Sequence, residues 1–192
     1  MWASIISIVL TAVISDNIVL SQTQGLCPFL GVSKKMSSAL GMGFAVIFVL
    51  VISSVCTFLV YNYVLIPLNI AYLSTMAFIL VIASLVQLTE MVIKKLSPTL
   101  YSALGVYLPL ITTNCAILGT ASTAAAKAYG FLETFALGIG NGVGFLFAIV
   151  VMAGIRLKTD KADIPNCFKG FPITLITAGI MALAFACFGG IF

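Results

Sequence analysis

The chain lacks histidine altogether and has few charged side chains, 7% of its 192 residues, whereas 62% are hydrophobic. So small a polar set cannot coat a water-soluble globule of this length, which excludes a soluble enzyme or binding domain. The nine basic residues are spread over short segments, so no continuous basic patch for nucleic acid is indicated. The composition predicts an integral membrane protein.

Other signals are also missing. The apolar start has neither a basic n-region nor a small-residue cleavage site, so we expect no cleavable signal peptide. Five cysteines, an odd number at wide spacings, predict no disulfide framework. Cys56 and Cys187 lie deep in apolar runs and are expected to be small buried hydrophobic residues. Cys167 lies in a charged segment, and we expect no role for it.

Apolar stretches of about 20 residues, the length that crosses a bilayer as a helix, occur six times. They cover about residues 2–24, 38–60, 68–92, 100–122, 131–155 and 171–191. The largest remainder runs from Arg156 to Gly170 and is predicted to be a surface loop. The sequence therefore predicts an all-α integral membrane protein, a single membrane domain of residues 1–192 with six transmembrane helices.

The basic residues fall almost entirely on one side of this arrangement. Lys127 alone lies in a loop on the other side. The first, third and fifth loops contain Lys34, Lys35, Lys94, Lys95, Arg156, Lys158, Lys161 and Lys169. Since cytoplasmic loops collect Lys and Arg, these three loops are predicted to be cytoplasmic and both termini to lie on the outer side.

Two cysteine motifs indicate an internal repeat. CPFLG from Cys27 and CAILG from Cys115 share their cysteine, leucine and glycine, and PLNIAYLSTMA from Pro67 is matched by PITLITAGIMA from Pro172. We predict two halves, about residues 1–96 and 97–192, of three helices each. Because three is odd, the second half enters the membrane from the opposite side, so the repeat is inverted.

The two cysteines are predicted to lie at nearly the same depth. At ~1.5 Å per helical residue, Cys27 is about 10 Å from Lys34 at the cytoplasmic face and Cys115 about 18 Å from Lys127 at the outer face. In a hydrocarbon core of ~30 Å these positions nearly coincide. Inverted repeats tend to carry their functional site near the midplane, on interrupted helices.

The first helix is too long to run straight from Trp2 to Cys27 across the membrane that remains. We therefore predict that the first and fourth helices are interrupted at the cysteine motifs. Pro28, Gly25 and Gly31 would open the first. The corresponding residues of the fourth are Pro109, Thr112, Thr113, Asn114 and Gly119.

Two cysteines at one depth on irregular backbone suggest a half-site for a metal or cluster. Thiolates suit iron–sulfur clusters, and a common [2Fe–2S] site needs four of them. Cys27 and Cys115 supply two, so a partner or a second copy would supply the others. The alternative is that both are ordinary buried cysteines.

Two further features allow competing interpretations. Asp16 and Asn17 lie within the first apolar span, where they either belong to an ion pathway or lie near the outer boundary. The string GIGNGVG, from Gly138 to Gly144, resembles a phosphate-binding loop but follows no strand. Close helix packing through small residues is the favoured interpretation.

Three stretches carry a resemblance to a known family. They are GLCPFLGVSKK from Gly25, VQLTEMVIKKLSPTLY from Val86 and LPLITTNCAILG from Leu108. Together they resemble the A-type membrane component of the Rnf complex, the ion-translocating ferredoxin:NAD oxidoreductase of bacterial membranes, along nearly the whole chain. The E-type component of the sodium-translocating NADH:quinone oxidoreductase is similar in architecture, but Pro28 directly after Cys27 fits the Rnf version better. VSKK after the first motif argues against the E-type component of Rnf.

The resemblance implies that Cys27 and Cys115 bind one intramembrane [2Fe–2S] cluster shared with a homologous six-helix subunit, which is similar to the E-type component of Rnf and supplies two further cysteines. It implies electron transfer coupled to Na⁺ or H⁺ transport in the bacterial cytoplasmic (inner) membrane. Other subunits would carry the flavins and further iron–sulfur clusters. No nicotinamide, flavin or ferredoxin site is expected in this chain. The alternative function is an inverted-repeat secondary transporter with buried cysteines that bind no metal.

Overall fold

The computed structural model describes residues 2–33, 35–67, 71–96, 111, 113–163, 165 and 167–187. Across these residues there is no strand, and seven α-helices account for most of the chain. They are α1 (Trp2–Val13), α2 (Leu26–Val32), α3 (Met36–Val60), α4 (Ser74–Leu96), α5 (Cys115–Ala126), α6 (Phe131–Thr159) and α7 (Phe171–Ala186). A π-helical turn, Tyr61–Leu65, extends α3, and a 3-10 turn, Ala71–Leu73, precedes α4. The all-α class is confirmed.

Helix α6 lies at the centre and packs mainly against α3 and α1. Its glycines make this possible because their backbone touches the neighbouring helices directly. A Cβ on Gly140 would lie 3.0 Å from the Ala12 Cβ, and one on Gly142 would lie 3.1 Å from the Ile47 Cα. The interpretation of GIGNGVG as a helix-packing surface is thereby confirmed.

The outer helices turn large apolar side chains outward. Phe44 on α3 is 63% exposed, Leu80 on α4 is 71% exposed and Leu183 on α7 is 73% exposed. Surfaces of this kind are stable in a bilayer or against another membrane subunit, and they are costly in water.

Three of the described helices are long and apolar enough to cross a membrane: α3 with its extension (Met36–Leu65), α4 as far as Met91, and α6. Helices α5 and α7 are apolar but shorter. The predicted fourth span begins in residues 100–110, which lie outside the described part. The arrangement of six helices in two inverted halves therefore stays a prediction.

The interruption of the first span lies upstream of the predicted place. Helix α1 ends at Val13, residues 14–25 form no α-helix, and α2 then begins at Leu26. The prediction that Pro28 and Gly31 open the backbone is wrong, since both lie within α2, and Gly119 likewise lies within α5. Pro28 is the third residue of its helix, where a backbone N–H has no intrahelical partner, so a proline costs little there.

The last predicted loop also begins later than its sequence indicates. Helix α6 continues through Arg156 to Thr159, so Arg156 is helical and is not a loop residue. Arg and Lys are good helix formers, and their charge in the last turn is favourable beside the free carbonyl groups of the helix.

Candidate functional site

Gly25, two residues before Cys27, has a backbone conformation that only glycine adopts easily. Gly25 precedes α2 with φ of 77°, in the left-handed region. The turn lets the chain enter α2 directly from the non-helical segment 14–25. Cys27, the second residue of α2, is exposed, whereas its neighbours Pro28 and Phe29 are buried.

The second motif begins at the N-terminus of α5, which Asn114 caps. The Asn114 side-chain oxygen accepts a hydrogen bond from the Ala116 N–H at 3.1 Å, so Asn114 caps α5. Asn114 itself is buried, but Cys115, the first residue of α5, is exposed. Both cysteines therefore lie in the first turn of a helix and reach the surface of the chain.

The two motifs meet in space. The Gly25 backbone N–H donates a hydrogen bond to the Cys115 Sγ at 2.9 Å, across 90 residues of sequence. The site of a Cβ on Gly25 lies 3.1 Å from the Asn114 Oδ1, so the turn before Cys27 packs on the cap before Cys115. The structure thus brings the two motifs into contact, while their common depth in the membrane stays a prediction.

The Cys115 sulfur accepts a backbone hydrogen bond at the start of a helix. Hydrogen bonds to ligand sulfurs are among the features that set the potential of an iron–sulfur cluster. The first turn of the 12-residue helix α5 adds backbone N–H groups without intrahelical partners, which form the positive end of that helix.

Polar side chains at this junction are buried but incompletely bonded. The Gln24 side chain contacts Gly119 of the second motif, where a Cβ would overlap it. Within the described residues, the Gln24 Oε1 and the Asn114 Nδ2 are buried and have no hydrogen-bond partner. Such groups are rare, and they mark this junction as a place where the isolated chain leaves polar groups unsatisfied.

The donor set fits half of a cluster site. No group of three or more Cys, Asp or Glu side chains comes together in the part of the chain that the structure describes. Cys27 and Cys115 are both exposed, so cysteines of another subunit can approach them. A four-thiolate site that used both of them would need two further thiolates from another subunit.

The other cysteines have different settings. Cys56 is half-buried and Cys167 is exposed. Cys187 is also exposed, so the expectation that it is a buried residue is wrong. An apolar run does not distinguish a helix face that meets lipid or another subunit from one that meets the core of its own chain.

Asn17 has a structural role that the sequence does not reveal. It is completely buried. Its Nδ2 donates to the Val13 and Gly144 carbonyls at 3.0 and 3.1 Å, and its Oδ1 accepts from the Val19 and Leu20 N–H groups at 3.0 and 3.3 Å. All four hydrogen-bonding positions of the amide are thus used, which leaves none for an ion. These bonds give Asn17 a structural role, and its ion-pathway interpretation stays a prediction.

Asp16, beside it, lies in a different environment. Its Oδ1 accepts a hydrogen bond from the Gln22 Nε2 at 3.0 Å. Both residues line a cavity with Thr11, Asn141 and Lys127. Nothing in these contacts separates an ion pathway from a boundary position, and the ion-pathway interpretation of Asp16 stays a prediction.

Replacing Gly25 by alanine is expected to destabilise the junction of the motifs. A left-handed backbone costs an L-residue about 1–2 kcal/mol. The new Cβ would also lie 3.1 to 3.2 Å from Asn114, Ala116 and Phe145. We expect a lower melting temperature of the purified complex. Gly154→Ala is the control because nothing lies within 4 Å of its Cβ position. Equal melting temperatures for the two variants would contradict this account of the turn.

Comparison with known proteins places the chain among redox membrane subunits. A family model described as "Rnf-Nqr subunit, membrane protein" matches residues 5–192. The A-type component of the Na⁺-translocating ferredoxin:NAD⁺ oxidoreductase complex of Acetobacterium woodii is 53% identical over 187 residues, 97% of each chain. The A-type component of the ion-translocating oxidoreductase complex of Thioalkalivibrio sulfidiphilus is 53% identical over 184 residues, 96% of each chain. The corresponding protein of Aliivibrio salmonicida is 52% identical over 179 residues, 93% of each chain.

Proposed function

This chain belongs to the Rnf-Nqr family of membrane subunits, and we propose that it carries electrons within an ion-translocating ferredoxin:NAD oxidoreductase complex. The electrons pass through an intramembrane [2Fe–2S] cluster that Cys27 and Cys115 share with a homologous six-helix subunit. Electron transfer is coupled to the transport of Na⁺ or H⁺. Flavins and the other iron–sulfur clusters belong to further subunits.

One observation carries the proposal. The Gly25 N–H donates to the Cys115 Sγ, which joins the two cysteine motifs, and both cysteines are exposed. Cys167 and Cys187 are exposed as well, but only Cys27 and Cys115 belong to the two motifs that this bond joins. Here they reach the surface at the junction, where a second subunit has access.

A bound cluster would supply one-electron transfer. Cys27 and Cys115 would supply two of its thiolates, and the residues around them would hold these in place. Asn114 fixes the first turn of α5, and with it Cys115. The Gly25 N–H donates a hydrogen bond to the Cys115 sulfur and would keep that contact to a sulfur that binds iron. The buried apolar residues behind the site, Phe29 and Phe145 among them, exclude water and strengthen these interactions.

We place the site within the membrane, in two inverted halves with both termini on the outer side. The excess of Lys and Arg in the first, third and fifth predicted loops, which include the last turns of α4 and α6, supports this orientation. A reporter fused after Phe192 is expected to show an outer location, for example as an active periplasmic enzyme fusion. A cytoplasmic reporter would contradict the inverted arrangement.

The presence of an iron–sulfur cluster in the membrane part of the complex distinguishes this proposal from a secondary transporter with the same fold. The complex, purified without oxygen, is expected to contain a [2Fe–2S] signal in the EPR spectrum of the reduced sample that the flavin and soluble iron–sulfur subunits alone do not give. A transporter with cysteines that bind no metal predicts that this signal is missing.

A further inference from the structure

Arg156 reaches from the end of α6 to the short helix that carries Cys27. Its Nη1 donates to the Leu30 carbonyl at 2.8 Å and to the Ser33 Oγ at 2.9 Å. These partners are 126 and 123 residues away in sequence. Arg156 is half-buried and Ser33 is completely buried, so the contact is not a loose surface pair.

The two bonds hold a helix that is too short to be stable alone. Helix α2 has seven residues, and isolated helices of fewer than about 12 residues are marginal in water. The Leu30 carbonyl is among the last four of α2, which have no intrahelical partner. Arg156 satisfies that carbonyl and places a positive charge at the negative end of the helix. It thereby fixes the position of α2 and of Cys27 within it.

The same charge lies close to the cysteine. Arg156 and Cys27 line one groove together with Leu26, Leu30 and Gly31. Cys27 precedes Leu30 by three residues, which is about 4.5 Å along a helix axis. A guanidinium remains protonated in proteins, so this charge does not depend on pH.

We propose that Arg156 is a positioning residue that raises the reduction potential of the cluster. The inference rests on the proposed function. One added electron reduces the iron and makes the cluster more negative by one charge. A cation held nearby in a medium of low dielectric constant stabilises that reduced form. The charge acts from a fixed place because two hydrogen bonds hold the guanidinium beside α2.

Three variants of the full complex test the proposal by redox titration, with the EPR intensity of the cluster as the readout. Arg156→Gln removes the charge, and Arg156→Lys keeps it on a flexible stem that cannot donate as a planar fork. Lys158→Gln removes one charge from an exposed position on the same helix and is the control. We expect the midpoint potential to become more negative in Arg156→Gln, to shift partway in Arg156→Lys and to stay at the wild-type value in Lys158→Gln.

A midpoint potential of Arg156→Gln that equals that of Lys158→Gln would overturn the inference. If Arg156→Gln does not assemble, the midpoint potential of Arg156→Lys is compared with that of Lys158→Gln instead, and equal values would overturn the inference. Absence of the cluster signal from the wild-type complex would instead contradict the proposed function, so the two failures are distinguishable.

Discussion

Replacing either Cys27 or Cys115 by serine is expected to abolish the [2Fe–2S] EPR signal assigned to this chain and to stop electron transfer through the complex. Each replacement removes one of the four thiolates that such a cluster needs, and a serine hydroxyl is a poor substitute for a soft ligand. The fold should persist. A serine at position 115 still offers an oxygen that can accept from the Gly25 N–H, which now donates to sulfur at 2.9 Å.

The matched control is Cys167→Ser. Cys167 is exposed like the two motif cysteines, but it lies in the turn that precedes α7. We expect the Cys167→Ser complex to keep the full signal and activity. The proposal would be contradicted if a correctly assembled Cys27→Ser or Cys115→Ser complex gave the same spectrum as the wild type.

The second large effect is expected at Asn17. Asn17→Ala removes four hydrogen bonds from a completely buried site and leaves two carbonyls and two N–H groups without these partners. A buried polar group that loses its partner costs about 1–3 kcal/mol. Summed over these groups, we expect the free energy of unfolding to fall by at least about 3 kcal/mol, enough to lower the yield of assembled complex. Asn17→Asp should also fail, because a carboxylate cannot donate to the Val13 and Gly144 carbonyls.

Asn62→Ala is the control for this prediction. Asn62 donates a single bond of 3.2 Å to the Phe58 carbonyl of its own helix, so little should be lost. The measurement is the apparent melting temperature of the detergent-purified complex. An Asn17→Ala melting temperature within the error of Asn62→Ala would contradict the role assigned to Asn17 in holding residues 14–25.

Several features of the fold follow from the sequence because they depend on composition or on short spacing. A hydrophobic content of 62% without histidine requires a membrane, and the glycines from Gly138 to Gly144 lie on α6 where its neighbours approach closely. The repeat and the lysine positions predict a nearly equal depth for the two cysteines, and in the structure a bond between Gly25 and Cys115 joins their motifs.

What the sequence does not reveal depends on contacts between distant residues. Helix α1 ends at Val13, and the Asn17 amide donates there to the Val13 carbonyl and to the Gly144 carbonyl, 127 residues away. Arg156 lies in a helix and not in the predicted loop. Its hydrogen-bond partners, Leu30 in α2 and Ser33 just after it, are 126 and 123 residues away in sequence. The exposure of Cys187 escapes prediction because hydrophobicity alone does not separate a face that meets lipid from one that meets the core.

The most direct test of the shared cluster is a structure of the whole complex with iron located by anomalous scattering. We expect two iron atoms in one site, bound by the Cys27 and Cys115 sulfurs and by two cysteines of a homologous membrane protein. Iron bound elsewhere in the membrane, with Cys27 and Cys115 packed only against apolar side chains, would contradict this expectation.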